Sequence, residues 1–296
     1  MAEILILGAA GQLATALRAL SWPAGCNLTF LGRRDLVSPG DPGGAARAAI
    51  LRSRPNLVLN AAAYTAVDRA EAQPELAAAI NAAQPLAMAQ ACSDLDIPLV
   101  HVSTDYVFDG DKPGAYLETD APNPLGVYGR TKLAGDRNIE QHCSAPWAIL
   151  RTSWVFSAAE DSFPAKLLRR ARAGETLRVV DDQIGCPTPA AALAAAMQAV
   201  GLRLLDHDRA AEGLFNFCGA EAMSWYGFAG RIVAAAVAAG LRRPELQPIS
   251  SDQFAAAARR PRNSVLDCGK IRRQCGLEPA PITAAVEHVV GTILGR

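Results

Sequence analysis

Nothing in this sequence reads as a metal centre, an export signal or a membrane span. Its seven cysteines, at positions 26, 92, 143, 186, 218, 268 and 275, contain no C-x-x-C pair. An odd count without metal-ligand spacing implies reduced thiols and a cytoplasmic protein. The four histidines, at 101, 142, 207 and 288, form no local pair, so a histidine-based catalytic metal has no support. The N-terminus runs from Glu3 straight into apolar residues, without the basic stretch of an export signal. Two alanine-rich stretches, 190–202 and 232–241, fall short of the roughly 20 residues that a bilayer-spanning helix needs, and buried helices are expected there. Net charge is missing as well: 29 basic side chains balance 29 acidic ones. Nucleic-acid binders usually carry a basic excess, so neither nucleic acid nor membrane is an expected partner. There is no internal repeat, low-complexity linker or block of like charge.

What is there is a chain of 296 residues, half of them apolar, enough for one large domain or two unequal ones. Ile4–Leu7 is a short apolar run, followed by Gly8-Ala9-Ala10-Gly11-Gln12-Leu13-Ala14 and a helical pattern through Leu20. Strand, glycine turn and helix start form the context in which Gly8 allows a tight turn and Gly11 lets backbone approach a pyrophosphate. Ala14 stands where a third glycine is usual, and a glycine turn without a ligand is the plain alternative. The strand Leu28–Leu31 ends in Gly32-Arg33-Arg34-Asp35. An arginine there accommodates the extra phosphate of NADP, whereas an acid binds the ribose of NAD. Arg33 and Arg34 favour NADPH, with NADH left open through Asp35.

A helix over 44–53 and a strand over 57–60 continue a βαβαβ alternation, which implies a parallel, doubly wound sheet. Small residues close the third strand at Asn60-Ala61-Ala62-Ala63-Tyr64-Thr65, where ligands sit in such sheets; close helix packing explains small residues equally well. A long helix over 75–95 and a strand over 98–102 lead to Ser103-Thr104-Asp105-Tyr106. About two dozen residues later, Tyr128 and Lys132 stand four apart in Gly126-Val127-Tyr128-Gly129-Arg130-Thr131-Lys132. On a helix such residues share a face. A cation beside a phenol lowers its pKa from about 10 and makes it a usable general acid.

Past the strand at 147–150, Trp154 is suited to pack against a sugar or base face, or to sit in the core. Beyond 155 the βαβ rhythm loosens: helices at 161–173, 190–204, 224–239 and 282–294 alternate with strands at 177–180 and 214–217. The division expected is a dinucleotide-binding domain over 1–155 and a smaller mixed α/β substrate domain over 156–296, with some segments returning to the first sheet. Arg259, Arg260 and Arg262 form a basic cluster in an otherwise neutral chain. Their planar forks suit a diphosphate, and a solvated loop suits them too.

Together the glycine turn, Ser103-Thr104 and Tyr128-x-x-x-Lys132 resemble the extended short-chain dehydrogenase/reductase superfamily. The strings Asn60–Asp68, Ser103–Gly110, Tyr128–Gly135, Arg151–Phe156, Asp182–Thr188 and Arg260–Asp267 resemble the dTDP-4-dehydrorhamnose reductases, in that family's order. The resemblance implies a Rossmann-type fold and NADPH-dependent reduction of the C4 keto group of a dTDP-linked 4-dehydrorhamnose. It makes Tyr128 the proton donor, Lys132 the holder of the nicotinamide ribose and the group that lowers the Tyr128 pKa, and Thr104 a hydrogen-bond donor to the keto oxygen. Cofactor contacts fall on Gly8, Gly11, Gln12, Leu13, Arg33, Asp35, Leu36, Ala62, Ala63, Tyr64 and Thr65. Substrate contacts fall on Thr104, Asp105, Tyr106, Trp154 and Arg260. By resemblance alone, Mg²⁺ is a candidate ion and a homodimer a candidate assembly. A related epimerase, which shares the Tyr and Lys, and a non-catalytic regulatory subunit with the same fold are the competing readings.

Overall fold

In the computed structural model, which describes residues 1–36 and 40–295, the chain builds a six-stranded sheet. Its strands are β1 (Ala2–Leu7), β2 (Cys26–Leu31), β3 (Leu57–Asn60), β4 (Leu99–Thr104), β5 (Trp147–Thr152) and β6 (Gly213–Asn216). They lie in the order β6-β5-β4-β3-β1-β2, and every pairing is parallel. Parallel strands need helical crossovers, so both faces are covered and the central strands are mostly apolar. Alternation in β1 shows this directly. Ile4 and Ile6 pack with Leu17, Leu57 and Leu59 on one face, while Leu5 and Leu7 pack with Ile50, Val58 and Met88 on the other.

The first face is covered by α1 (Gln12–Ala19) and the alanine-rich helix Ala190–Leu205, the second by helices Gly44–Ser53 and Gln84–Leu95 together with Val127–His142. The strand order reverses between β1 and β3, which opens a crevice at their carboxyl ends. Gly8 sits there with φ +120°, and a Cβ on it would lie 3.1 Å from the Ala61 backbone.

The helix expected over 75–95 is interrupted. Helix Pro74–Ala78 passes into a π-helical turn at Ala79–Ala83 before Gln84–Leu95 resumes as α-helix. Pro85 supplies the reason, since it has no N–H to give to the carbonyl four residues earlier. Asn81 turns in that widened stretch and clamps the loop after β3: Tyr64 N–H donates to its Oδ1 at 2.8 Å, and its Nδ2 donates to Tyr64 O and Thr131 Oγ1.

After Thr152 short elements build a second cluster, in which Phe156, Leu168, Phe228, Ile232 and Val286 bury one another. Strands Leu177–Val180 and Leu246–Ile249 pair within it. The chain also returns to the first sheet, since β6 pairs with β5 and helix Ala190–Leu205 packs beside α1. Among the described residues no helix is long and apolar enough to cross a membrane.

Candidate active site

The Tyr-Lys pair rides on the first turns of the helix Val127–His142, which begins one residue before Tyr128. Gly126 is its N-cap and has no hydroxyl to offer, so the Glu71 carboxylate accepts from Val127 N–H at 2.8 Å. Placing Gly129 on the next position lets the helix press on the 104–107 turn: a Cβ there would lie 2.1 Å from Tyr106 O. Tyr128 is half-buried, edge-on to Tyr106 with ring centroids 5.8 Å apart. Lys132 is only 1% exposed. Its Nζ donates to Val102 O at 2.6 Å and faces His101 Nε2 at 3.0 Å.

The expected lowering of the Tyr128 pKa is not what this arrangement produces. Burial raises the phenol to about 12; the Thr104 side chain draws it back in part, and Asp105 and Asp136 push it further up. Lys132 has turned its amine to the β4 backbone and His101, so it does not offset that burial. Burial likewise lowers Lys132 to about 8, against a pull from Asp136. Thr104 ends β4, donates to Asp105 Oδ1 at 3.0 Å and accepts from Tyr106 N–H. Asp105 is fully enclosed, its Oδ2 has no partner, and burial raises its carboxyl to about 7.

Around the glycine turn the residues suit a dinucleotide. Gly11 caps α1 with no side-chain hydrogen bond and open space where a Cβ would be, so the first N–H groups of the helix stay free for an anion. Gln12 reaches across to the second half of the chain: Ser157 Oγ donates to its Oε1 at 2.7 Å. Arg33, Arg34 and Asp35 are exposed after β2, and Asp35 accepts from Gly32 N–H at 2.8 Å. Ala62, Ala63 and exposed Thr65 follow β3 along the crevice.

Other expected contacts are placed differently. Leu36 and Leu13 are core residues, and the Tyr64 ring packs inward on Ala70 and Ala77 with its hydroxyl on Gln73, while Asn81 takes its backbone N–H and carbonyl. Trp154 adopts a left-handed φ of 48°, a strained conformation for a large side chain. Trp225 stacks on it with centroids 3.7 Å apart, and a Cβ on Gly185 would lie 2.5 Å from the indole. The face-on packing expected of Trp154 is therefore taken up on at least one side by Trp225. Arg260 lines a cavity of about 450 Å³ together with Asp109, Gln183, Phe254, Arg259 and Arg262. Its guanidinium, however, holds both oxygens of Asp68, at 3.0 and 2.7 Å. That ion pair fixes the loop, and it is Arg259 and Arg262 that remain exposed. The cavity shares Leu125 and Arg259 with a narrow cleft reaching Tyr106 and Tyr128.

His101, Asn81, Asp136 and Arg151 have no role assigned to them in the sequence reading, where Arg151 only opens the string Arg151–Phe156. The signals available were Pro85 within a helix and polar residues inside apolar strands. Among the described residues no cluster of three or more His, Cys, Asp or Glu side chains could hold a metal ion, and no Mg²⁺ site is assigned.

Comparison with known proteins bears on this arrangement. A family model described as the RmlD substrate binding domain matches residues 1–294. The dTDP-4-dehydrorhamnose reductase of Sinorhizobium fredii is 38% identical over 93% of this chain and 92% of its own, and that of Escherichia coli is 37% identical with the same coverage. The crystal structure of dTDP-4-dehydrorhamnose reductase from Bacillus anthracis in complex with NADP is 29% identical, with a TM-score of 0.87 over 99% of this chain and 98% of that one. With its ordered motifs, its parallel sheet and a match along almost its whole length, the chain belongs to the dTDP-4-dehydrorhamnose reductase family.

Proposed function

We propose that this protein catalyses the NADPH-dependent reduction of the C4 keto group of dTDP-4-dehydro-β-L-rhamnose to give dTDP-L-rhamnose. The observation that carries this reading is Thr104 at the carboxyl end of β4, beside the turn on which the helix of Tyr128 and Lys132 presses, with Tyr128 lining the cleft that adjoins the cavity at Arg259. Bound NADPH supplies the hydride. Gly8, Gly11 and the start of α1 would hold its pyrophosphate, Arg33 and Arg34 its extra phosphate, and Lys132 its nicotinamide ribose.

Reduction of a ketone develops negative charge on its oxygen, and two hydroxyl groups of the chain can answer it, that of Tyr128 and that of Thr104 once its proton turns from Asp105 Oδ1. Thr104 would donate a hydrogen bond, and Tyr128 would transfer its proton to the alkoxide. Donors held in place before the reaction stabilise charge as it forms. A phenol kept protonated by burial is the correct starting form for an acid. Arg259 and Arg262 are suited to the diphosphate, while half-buried Trp154 and the loop around Phe254 would bound the sugar and base.

A coupled assay tests this proposal: the 4-keto sugar nucleotide is generated in place, and oxidation of NADPH and NADH is followed separately. The expected outcome is turnover that requires the keto sugar and runs faster with NADPH. Failure to oxidise either cofactor in the presence of the keto sugar would sink the reading.

A further inference from the structure

Beneath the Tyr128–Lys132 pair lies a sealed polar cluster to which the reduction assigns no task. It draws Asn60 from β3, His101 and Ser103 from β4, Asp136 from the helix of Lys132, and Arg151 from β5, each 3% exposed or less. Proton positions in it follow from hydrogen-bond directions. Ala62 N–H donates to Asn60 Oδ1 at 3.0 Å, so the Asn60 Nδ2 amide is the group that faces His101 Nδ1 at 2.8 Å. That makes Nδ1 an acceptor. A neutral imidazole has one acceptor and one donor nitrogen, which places the ring proton on Nε2. Burial and the Lys132 charge hold His101 neutral, well below the usual histidine range.

His101 Nε2 faces Lys132 Nζ at 3.0 Å and Asp136 Oδ1 at 3.9 Å. The Asp136 Oδ1 atom is buried and has no hydrogen-bond partner, so its charge favours a proton on that side of the ring. An ammonium at Lys132 would set N–H against N–H across 3.0 Å. A neutral amine would accept from the imidazole and still donate to Val102 O.

We propose that Asn60 and His101 are positioning residues acting through Lys132: the Asn60 amide locks His101 as the Nε2–H tautomer, and that N–H favours the amine of Lys132 over its ammonium. The inference deepens the reading of Tyr128 and Lys132 as the proton-transfer pair, and rests on it for its functional meaning. The other charged groups around Lys132 are Asp136, one turn along the same helix, and Arg151 from β5, whose Nε lies 3.3 Å from Asp136 Oδ2. Ser103 donates to the same oxygen at 2.8 Å, and Tyr128 stands one turn earlier. Asp136 favours the ammonium, but Arg151 and Ser103 already engage it. Burial of Lys132 acts in the same direction as the tautomer lock. Lys132 then changes charge near working pH, at a midpoint set from below the catalytic face.

The test is a pH titration of the intact protein carrying ¹³Cε-labelled lysine, in which only Lys112, Lys132, Lys166 and Lys270 give signals; Lys132→Met identifies the relevant one. Lys132 is expected to titrate well below the other three. His101→Leu, which removes the donor, and Asn60→Asp, whose carboxylate demands a proton on Nδ1, are each expected to raise that midpoint by about one unit or more, a tenfold change in its proton affinity. His101→Gln, with an amide N–H near the place of Nε2–H, is expected to restore it. Long-range ¹H–¹⁵N spectra of wild-type His101 are expected to show the ring proton on Nε2, and need no variant to fold. A ring proton on Nδ1, or an unchanged Lys132 midpoint in folded His101→Leu and Asn60→Asp, overturns the proposal. Neither readout requires cofactor or turnover, so failure here is distinct from failure of the reductase assay.

Discussion

The two walls of the cleft use charged residues in opposite ways. Behind Tyr128, the wall of β3, β4 and β5 keeps Asn60, His101, Lys132, Asp136 and Arg151 out of water altogether. Across the cleft, the loop over 251–262 leaves Phe254, Arg259 and Arg262 exposed and ties itself down with Arg260 on Asp68, whose side chain is 46% exposed. In the dry wall a lost partner cannot be replaced by solvent, so each group dictates the proton positions of its neighbours. In the wet wall water and salt stand in for a missing partner, and the residues are free to follow a ligand.

The largest effect that would sharpen this contrast belongs to the face of the dry wall. Tyr128→Phe should lower kcat by about 10²–10⁴-fold, the usual worth of a positioned acid, while NADPH binding followed by fluorescence stays close to wild type. A loss smaller than tenfold would remove Tyr128 from the role of proton donor.

Next comes the ion pair beneath it. Removing one partner of a buried pair typically costs about 3–5 kcal/mol, because the other charge is left without compensation. Arg151→Met should therefore lower stability by about that amount in urea denaturation, and a cost near zero would mean that water reaches Asp136.

Asp105 supplies a pH-dependent test. Burial raises its carboxyl from 3.8 to about 7, so between these values the folded protein binds the proton that the unfolded chain releases. The contribution of this group is complete below 3.8, declines as pH rises through that interval, and is fully lost above about 7. Stability measured from pH 4 to 8 should accordingly fall more steeply in wild type than in Asp105→Asn. Equal slopes would show that the carboxyl is not confined in this way.

The smallest effect belongs to the wet wall. Arg260→Ala breaks an ion pair that is partly open to solvent, so it should cost about 1 kcal/mol or less in stability. Its main consequence should be a raised KM for the sugar nucleotide as the loop loosens. A loss of stability as large as that of Arg151→Met would abolish the distinction between the walls.

Much of the first half of the chain was legible because its information is local. The apolar runs at β1, β3, β4 and β5 fix the parallel sheet, and the glycine turn and Tyr128-x-x-x-Lys132 carry their meaning within a few residues. What could not be read depends on partners far away in sequence. His101 and Lys132 are 31 positions apart, and no spacing rule joins a strand histidine to a helix lysine. Trp154 stacks on Trp225 from a helix distant in sequence, and the partner of Arg260 lies 192 positions back. The π-helical turn at Ala79–Ala83 was half legible: Pro85 marks a defect, but Asn81 gains its purpose only from Tyr64 and Thr131.

The position of β6 at one edge of the sheet also imposes an order on synthesis. Its partner β5 ends at Thr152, whereas β6 begins at Gly213, and the helix that covers α1 occupies the interval. At about 5–20 residues per second, a ribosome takes several seconds to deliver that stretch. During those seconds the edge of β5 and the part of the sheet face beside α1 lack their native cover. An interval of this kind is when chaperones act on a nascent chain, and slowing translation between 152 and 213 should lower the yield of folded protein without altering the finished molecule.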